Sequence, residues 1–208
     1  MNVAEILIYT GYLFLLINTI AYLVRCRKKS TAYKILLSYL ILTIIIQAYS
    51  TFLSQKKLHN LFLSHYYFIG QFILMSLFFY KTLINKVVKK IICLVLLGVM
   101  LALSIQYFKN PELYYTFNLF EILITCIPII FYCFSFMVQQ IYTPEKRFVF
   151  FISGLFVYTL CSTLIFFAGN ISGDTQRILW RVNNSLYILF QLLILVEWYR
   201  NFRKKKIN

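Results

Sequence analysis

The run Ile91-Ile-Cys-Leu-Val-Leu-Leu-Gly-Val-Met-Leu-Ala-Leu-Ser-Ile-Gln-Tyr-Phe108 decides the fold class. It carries no charge and is bracketed by Lys89-Lys90 and Lys109. At about 1.5 Å per helical residue it reaches roughly 27 Å, close to the hydrocarbon thickness of a bilayer. A helix of this length on a soluble protein would show a polar face, and this one has none. Six further apolar stretches flank it, at about 5–24, 34–53, 61–80, 116–138, 148–168 and 178–199. Short polar segments divide them, among them Ser54-Gln-Lys-Lys-Leu-His-Asn60, Lys109-Asn-Pro-Glu112 and Tyr142-Thr-Pro-Glu-Lys-Arg147. The pattern predicts an all-α, polytopic integral membrane bundle of seven transmembrane helices. It forms one domain over residues 1–208, with a basic tail at 200–208. Pro128 falls inside the fifth stretch and is expected to kink it, which membrane helices tolerate.

Composition supports the same reading. Hydrophobic residues make up 61% and charged residues 13%, against about 45–50% and about 25% in soluble domains. Seven crossings use nearly the whole chain, which excludes a soluble catalytic or nucleic-acid-binding domain within it. The first stretch ends, rather than begins, in positive charge (Arg25-Cys-Arg-Lys-Lys29), so it reads as a retained helix and not a signal peptide.

The net charge of +15 arises from 21 basic and 6 acidic residues. Sixteen of the basic residues fall in the connections after helices one, three, five and seven, and five after the others. That asymmetry predicts an outside N-terminus and a cytoplasmic C-terminus in a bacterial inner membrane. Arg25, Arg27, Lys28 and Lys29, with Lys204, Lys205 and Lys206 of the tail, are then expected to meet anionic headgroups or a cytoplasmic partner protein. No direct nucleic-acid contact is expected, and a homo-oligomer is compatible with the pattern. The cysteines, Cys26, Cys93, Cys126, Cys133 and Cys161, are odd in number and form no CxxC pair, which argues against a disulfide framework.

Ionisable groups inside a membrane are expensive and mark function by default. Glu121 and Arg181 each lie near the outer end of a helix, at depths that would let them pair, and His65 lies at a similar depth. Helical spacing groups Arg181, Asn184, Ile188 and Gln191 on helix seven, Asn118, Glu121 and Thr125 on helix five, and Ser64, Tyr67 and Gln71 on helix three. His65, Gln71, Glu121, Arg181, Asn184 and Gln191 are therefore the candidate lining of one outward-facing pocket for a small polar or zwitterionic ligand, with Gln47 and Asn18 as further polar walls. The structural alternative is that these groups only glue helices together. Glu197, near Arg200 and Arg203, reads as interfacial and structural.

No metal or cofactor is expected. The seventh helix has no lysine for a retinal linkage, HExxH and clustered His and Asp are missing, and phosphate-cradling glycine loops are absent. The chain is expected not to be an enzyme.

Phe150-Phe-Ile-Ser-Gly-Leu-Phe-Val-Tyr158, followed by Trp180-Arg-Val-Asn-Asn-Ser-Leu-Tyr-Ile-Leu-Phe190, resembles the closing helices of small seven-helix membrane modules of Bacteroidetes-type bacteria. Such modules occur alone or ahead of histidine-kinase domains. The resemblance implies an inner-membrane sensory or accessory module whose output passes through a partner. Size and basic loops also resemble those of small multi-helix proteins beside bacterial defence systems, including membrane accessories of RNA-targeting CRISPR effectors. The second function class is a small transporter or an oligomeric pore, with Asn18, Gln71 and Gln191 as the wall of a path, and that likeness implies that it could serve a defence system.

Overall fold

A computed structural model describes residues 3–25, 30–144, 146–168 and 174–202, with side chains omitted for Arg25 and Asp174. Among the described residues, seven helices are long and apolar enough to cross a membrane. They are α1 (Val3–Arg25), α2 (Thr31–Gln55), α3 (Phe62–Thr82), α4 (Lys86–Lys109), α5 (Leu119–Tyr142), α6 (Val149–Phe167) and α7 (Asp174–Phe202). A 3-10 turn, Pro111–Tyr115, sits between α4 and α5, and no strand occurs among the described residues. A helix satisfies its own backbone hydrogen bonds, which is why uncharged runs of this length adopt it in lipid.

Helix ends follow polar side chains rather than the limits of the apolar runs. Asn85 accepts the amides of Val87 at 2.8 Å and Val88 at 3.4 Å, so α4 begins well before Ile91. Asn118 caps α5 by accepting the Glu121 amide at 3.2 Å, which delays that helix to Leu119. Beyond it α5 continues through Pro128 to Tyr142 without interruption.

Six of the helices close a ring in the order α1, α2, α3, α5, α6, α7 and back to α1, while α4 packs outside it against α3. Drawn with α1 descending, the odd-numbered helices descend and the even-numbered ones climb. The register shows this directly. His65 near the start of α3 meets Glu121 near the start of α5, and Tyr107 near the end of α4 joins them. Between the parallel pair α1 and α7, Asn18 bonds Gln191 and the Trp198 indole donates to the Ala21 carbonyl at 3.0 Å. The units α1–α3 and α5–α7 thus repeat one path, down, up and down. Turning one onto the other about the bundle axis maps each neighbouring pair of ring helices onto another such pair. Sequence similarity between these halves is too thin to have predicted it.

Apolar side chains fill the middle of the lower half of the ring. Leu15, Tyr22, Leu36, Leu40, Phe72, Phe78, Phe151, Phe190 and Ile194 are all buried there. At the base, Phe148 meets Tyr33 at a tilt with ring centroids 4.5 Å apart and meets Phe78 edge-on at 5.1 Å. The outer side of α4, including Leu94, Leu97 and Leu101, is exposed apolar surface suited to lipid chains.

Close packing of α6 on α7 depends on Gly154. A Cβ there would lie 2.9 Å from Leu193 Cδ1 and 3.0 Å from Phe190 Cδ2, whereas one on Gly98 of α4 would meet nothing within 4 Å. Gly154→Leu is therefore expected to destabilise by about 1–3 kcal/mol through overpacking. Gly98→Ala should be neutral or stabilising, since alanine is the better helix former by about 1 kcal/mol. Thermal unfolding in detergent checks both, and an equal response at the two glycines would refute the packing assignment.

Candidate functional site

The residues expected to share one pocket do not come together: His65 and Glu121 meet in one cluster, Asn184 lines a separate cavity, and Gln71, Arg181 and Gln191 join neither. Glu121, fully buried, accepts a hydrogen bond from His65 Nδ1 at 3.1 Å on Oε1 and from the Tyr107 hydroxyl on Oε2. Asn118 Nδ2 donates to the Tyr107 oxygen at 3.2 Å and to Gln106 Oε1 at 3.1 Å. Thr125 Oγ1 donates to the Glu121 carbonyl at 2.7 Å. A carboxylate in the first turn of α5 also suits the positive end of that helix. The network assigns the imidazole proton to Nδ1, leaving Nε2 buried with no partner.

Tyr107 and Tyr114 close over the imidazole at ring distances of 5.5 and 5.9 Å. Tyr114 lies on the 3-10 turn, and its 2.9 Å hydroxyl contact with Tyr66 pushes its phenol up to about 12. None of His65, Tyr107 and Glu121 lines the cavity of about 550 Å³ described below. The cluster joins α3, α4 and α5 and uses most of its hydrogen-bonding capacity internally. Chemically it is a staple that holds the outer helix α4 to the ring.

Glu121 and Arg181, whose depths would let them pair, do not meet. Arg181 is exposed on α7, with α6 between that helix and α5, and Glu121 takes His65 instead. Gln191 is also withdrawn from a pocket. It is fully buried and receives Asn18 Nδ2 on its carbonyl at 2.8 Å and on its side-chain oxygen at 2.9 Å. Gln71 is buried on α3 and does not line the cavity described next. Of the expected lining residues only Asn184 does, together with Gln47, Ser64 and Tyr67.

That cavity, of about 550 Å³, lies within the upper half of the ring between α1, α2, α3, α6 and α7. Tyr67, Tyr158 and Tyr187 line it, Asn183 and Asn184 face it from α7, and Ile8, Phe117 and Trp180 are exposed at its rim. Phe166 gathers Phe68, Phe117 and Trp180 around it at 5.7–5.9 Å, building an aromatic wall. Asn183 is 7% exposed, and its Oδ1 and the hydroxyls of Tyr67 and Tyr187 are buried without partners. No charged side chain lines the cavity among the described residues. Buried polar atoms are nearly always satisfied by protein, water or ligand, so these three define where an occupant's polar groups belong.

Sequence reasoning missed Asn183, Tyr187 and Trp180 because it anchored the face of α7 on the charge of Arg181. The face toward the cavity keeps Asn184 but takes Trp180 and Tyr187 in place of Arg181 and Ile188, with Asn183 beside it. The aromatic spacing of Trp180 and Tyr187 was the available signal.

Among the described residues, no group of three or more His, Cys, Asp or Glu side chains is placed to hold a metal ion. At the lower end Glu197 is fully buried rather than interfacial. Its oxygens accept the amides of Phe148 at 2.6 Å and Phe150 at 3.0 Å, and Asn201 also donates to it. Arg27, Lys28, Lys29, Lys204, Lys205, Lys206, Cys26 and the side chain of Arg25 lie outside the described residues.

The described residues form an all-helical bundle compatible with a multi-pass membrane protein, with an internal cavity that no charged side chain lines among them. No protein-family model, curated protein or solved structure matches the chain.

Proposed function

We propose that this is a non-enzymatic, multi-pass protein of a bacterial inner membrane that binds a neutral amphiphilic small molecule in the upper cavity. In this reading it serves as a sensory or accessory module. The observation that carries the reading is the unpartnered trio of Asn183 Oδ1, Tyr67 hydroxyl and Tyr187 hydroxyl inside a space of about 550 Å³. Small-molecule sites are typically about 300–1,000 Å³, apolar-walled and fitted with a few convergent polar groups. The uncharged lining favours a neutral ligand over the zwitterion expected from sequence.

Ligand binding is expected to raise thermal stability in a screen of uncharged aromatic and polyhydroxylated compounds. Asn183→Leu should weaken a hit about tenfold, the effect of removing a buried hydrogen-bond partner. Ser64→Trp should block the space. A hit whose affinity is unchanged in both variants would refute this site.

The charge asymmetry supports a cytoplasmic lower end, where a protein partner would receive the signal. A C-terminal green fluorescent protein fusion is then expected to fluoresce and a C-terminal alkaline phosphatase fusion to be inactive. The opposite pair of results would invert the orientation.

The repeated down-up-down units favour a second reading, a carrier. Transporters place substrate between two such repeats and rock one against the other. The cavity ends on the buried aromatic residues of the lower half, so passage would require those residues to part. Flux of the bound compound in proteoliposomes, abolished by Ser64→Trp, would select the carrier. Binding without flux would select the sensor.

A further inference from the structure

A second cavity, of about 350 Å³, opens at the lower end between the start of α2 and the ends of α3 and α5. Ser30, Thr31, Lys81, Thr82, Gln140 and Arg147 supply its polar wall, and no acidic side chain lines it among the described residues. Its shape is fixed by Gln139, whose Oε1 accepts the Ile84 amide at 2.7 Å and whose Nε2 donates to the Thr82 carbonyl at 3.3 Å. Gln140 Oε1 is buried there without a partner.

Ile84, Gln139 and Thr143 are shared with an apolar groove of about 640 Å³ lined by Leu83, Val88, Phe134, Val138 and Tyr142. This groove runs between α4 and α5, which touch only sparsely, and Phe134 and Val138 are exposed along it. In a bilayer that face looks onto acyl chains. Lys81, which lines the polar cavity, and Lys89 lie 5.8 and 5.7 Å from the Tyr80 ring, so a second cation sits near Lys81.

A cationic, hydroxyl-rich recess at headgroup level joined to a lipid-facing apolar groove matches one kind of molecule in both halves. We propose that the lower cavity and the α4–α5 groove form a binding site for an anionic phospholipid. Its phosphate lies between Lys81 and Arg147, and an acyl chain lies along Val88 and Val138. Basic pockets between membrane helices recognise anionic headgroups in this way. A free phosphate would satisfy the recess and leave the groove empty, so the groove is what selects the lipid.

The test is native mass spectrometry of the full chain in detergent, supplied with equal phosphatidylglycerol and phosphatidylcholine, alongside thermal unfolding with each lipid. Wild type is expected to retain phosphatidylglycerol preferentially and to gain stability from it. Lys81→Gln/Arg147→Gln should lower the bound ratio about tenfold or more, because each basic side chain at an anionic surface is worth about fivefold. Val138→Trp should displace the lipid with both cations intact. The charge-matched Lys56→Gln/Lys109→Gln variant, at the other end of the bundle, should behave as wild type. Equal retention of the two lipids by wild type would overturn the proposal, as would an unchanged ratio in the Lys81/Arg147 variant. Inorganic phosphate that reproduces the full stability gain would also overturn it, in favour of a free-anion site.

Discussion

Replacing Glu121 with leucine is expected to destabilise the bundle by about 3–5 kcal/mol, the cost of breaking one side of a buried, hydrogen-bonded ionisable pair. The substitution leaves the buried His65 Nδ1–H and the half-buried Tyr107 hydroxyl without their carboxylate acceptor. His65→Leu should also destabilise. The His65→Leu/Glu121→Leu double variant should lose less than the sum of the singles, since removing both partners spares the unpaired group. Arg181→Gln, on an exposed residue, should change stability by less than about 0.5 kcal/mol. Reversible unfolding in mixed micelles measures all four chains. Additive losses at His65 and Glu121, or a coupling of Glu121 to Arg181 instead, would refute the staple.

The second large effect belongs to Glu197. Phe148 has a left-handed backbone, φ 61°, and makes no side-chain cap for α6, so the first amides of that helix rely on a carboxylate from α7. Glu197→Ala leaves two buried donors unsatisfied, each costing about 1–3 kcal/mol, for an expected total near 3 kcal/mol. Glu197→Gln keeps an acceptor and should recover part of that loss. Hydrogen exchange should rise first at Phe148 and Phe150. A variant with unchanged exchange at those two amides would show that the cap is not needed.

The seven spans were legible because uncharged runs of this length have one structural outcome in lipid. Their ends were less so. Asn85 and Asn118 move the starts of α4 and α5 by a few residues through side-chain caps that hydropathy does not register. Glu121 and Arg181 stood out by their cost, with His65 at a similar depth, and of the three it is His65 and Glu121 that meet. Their third partner, Tyr107, was hidden among aromatic residues that crowd any helix end. Pairing Glu121 with Arg181 failed because depth in a membrane fixes height and not azimuth. Which helices are neighbours follows from the ring order, and that order emerges only from side-chain fit such as Gly154 against Leu193.

Ring closure has a consequence for how the chain is made. The contact that completes the ring lies between the first helix and the last, where Asn18 finds Gln191 across 173 residues of chain. Until α7 is inserted, the Asn18 amide faces lipid with no partner at that site. Nascent chains that stall before α7 therefore display a polar flag within the bilayer, legible to insertion chaperones and membrane proteases alike. Completion hides it with a single pair of side chains.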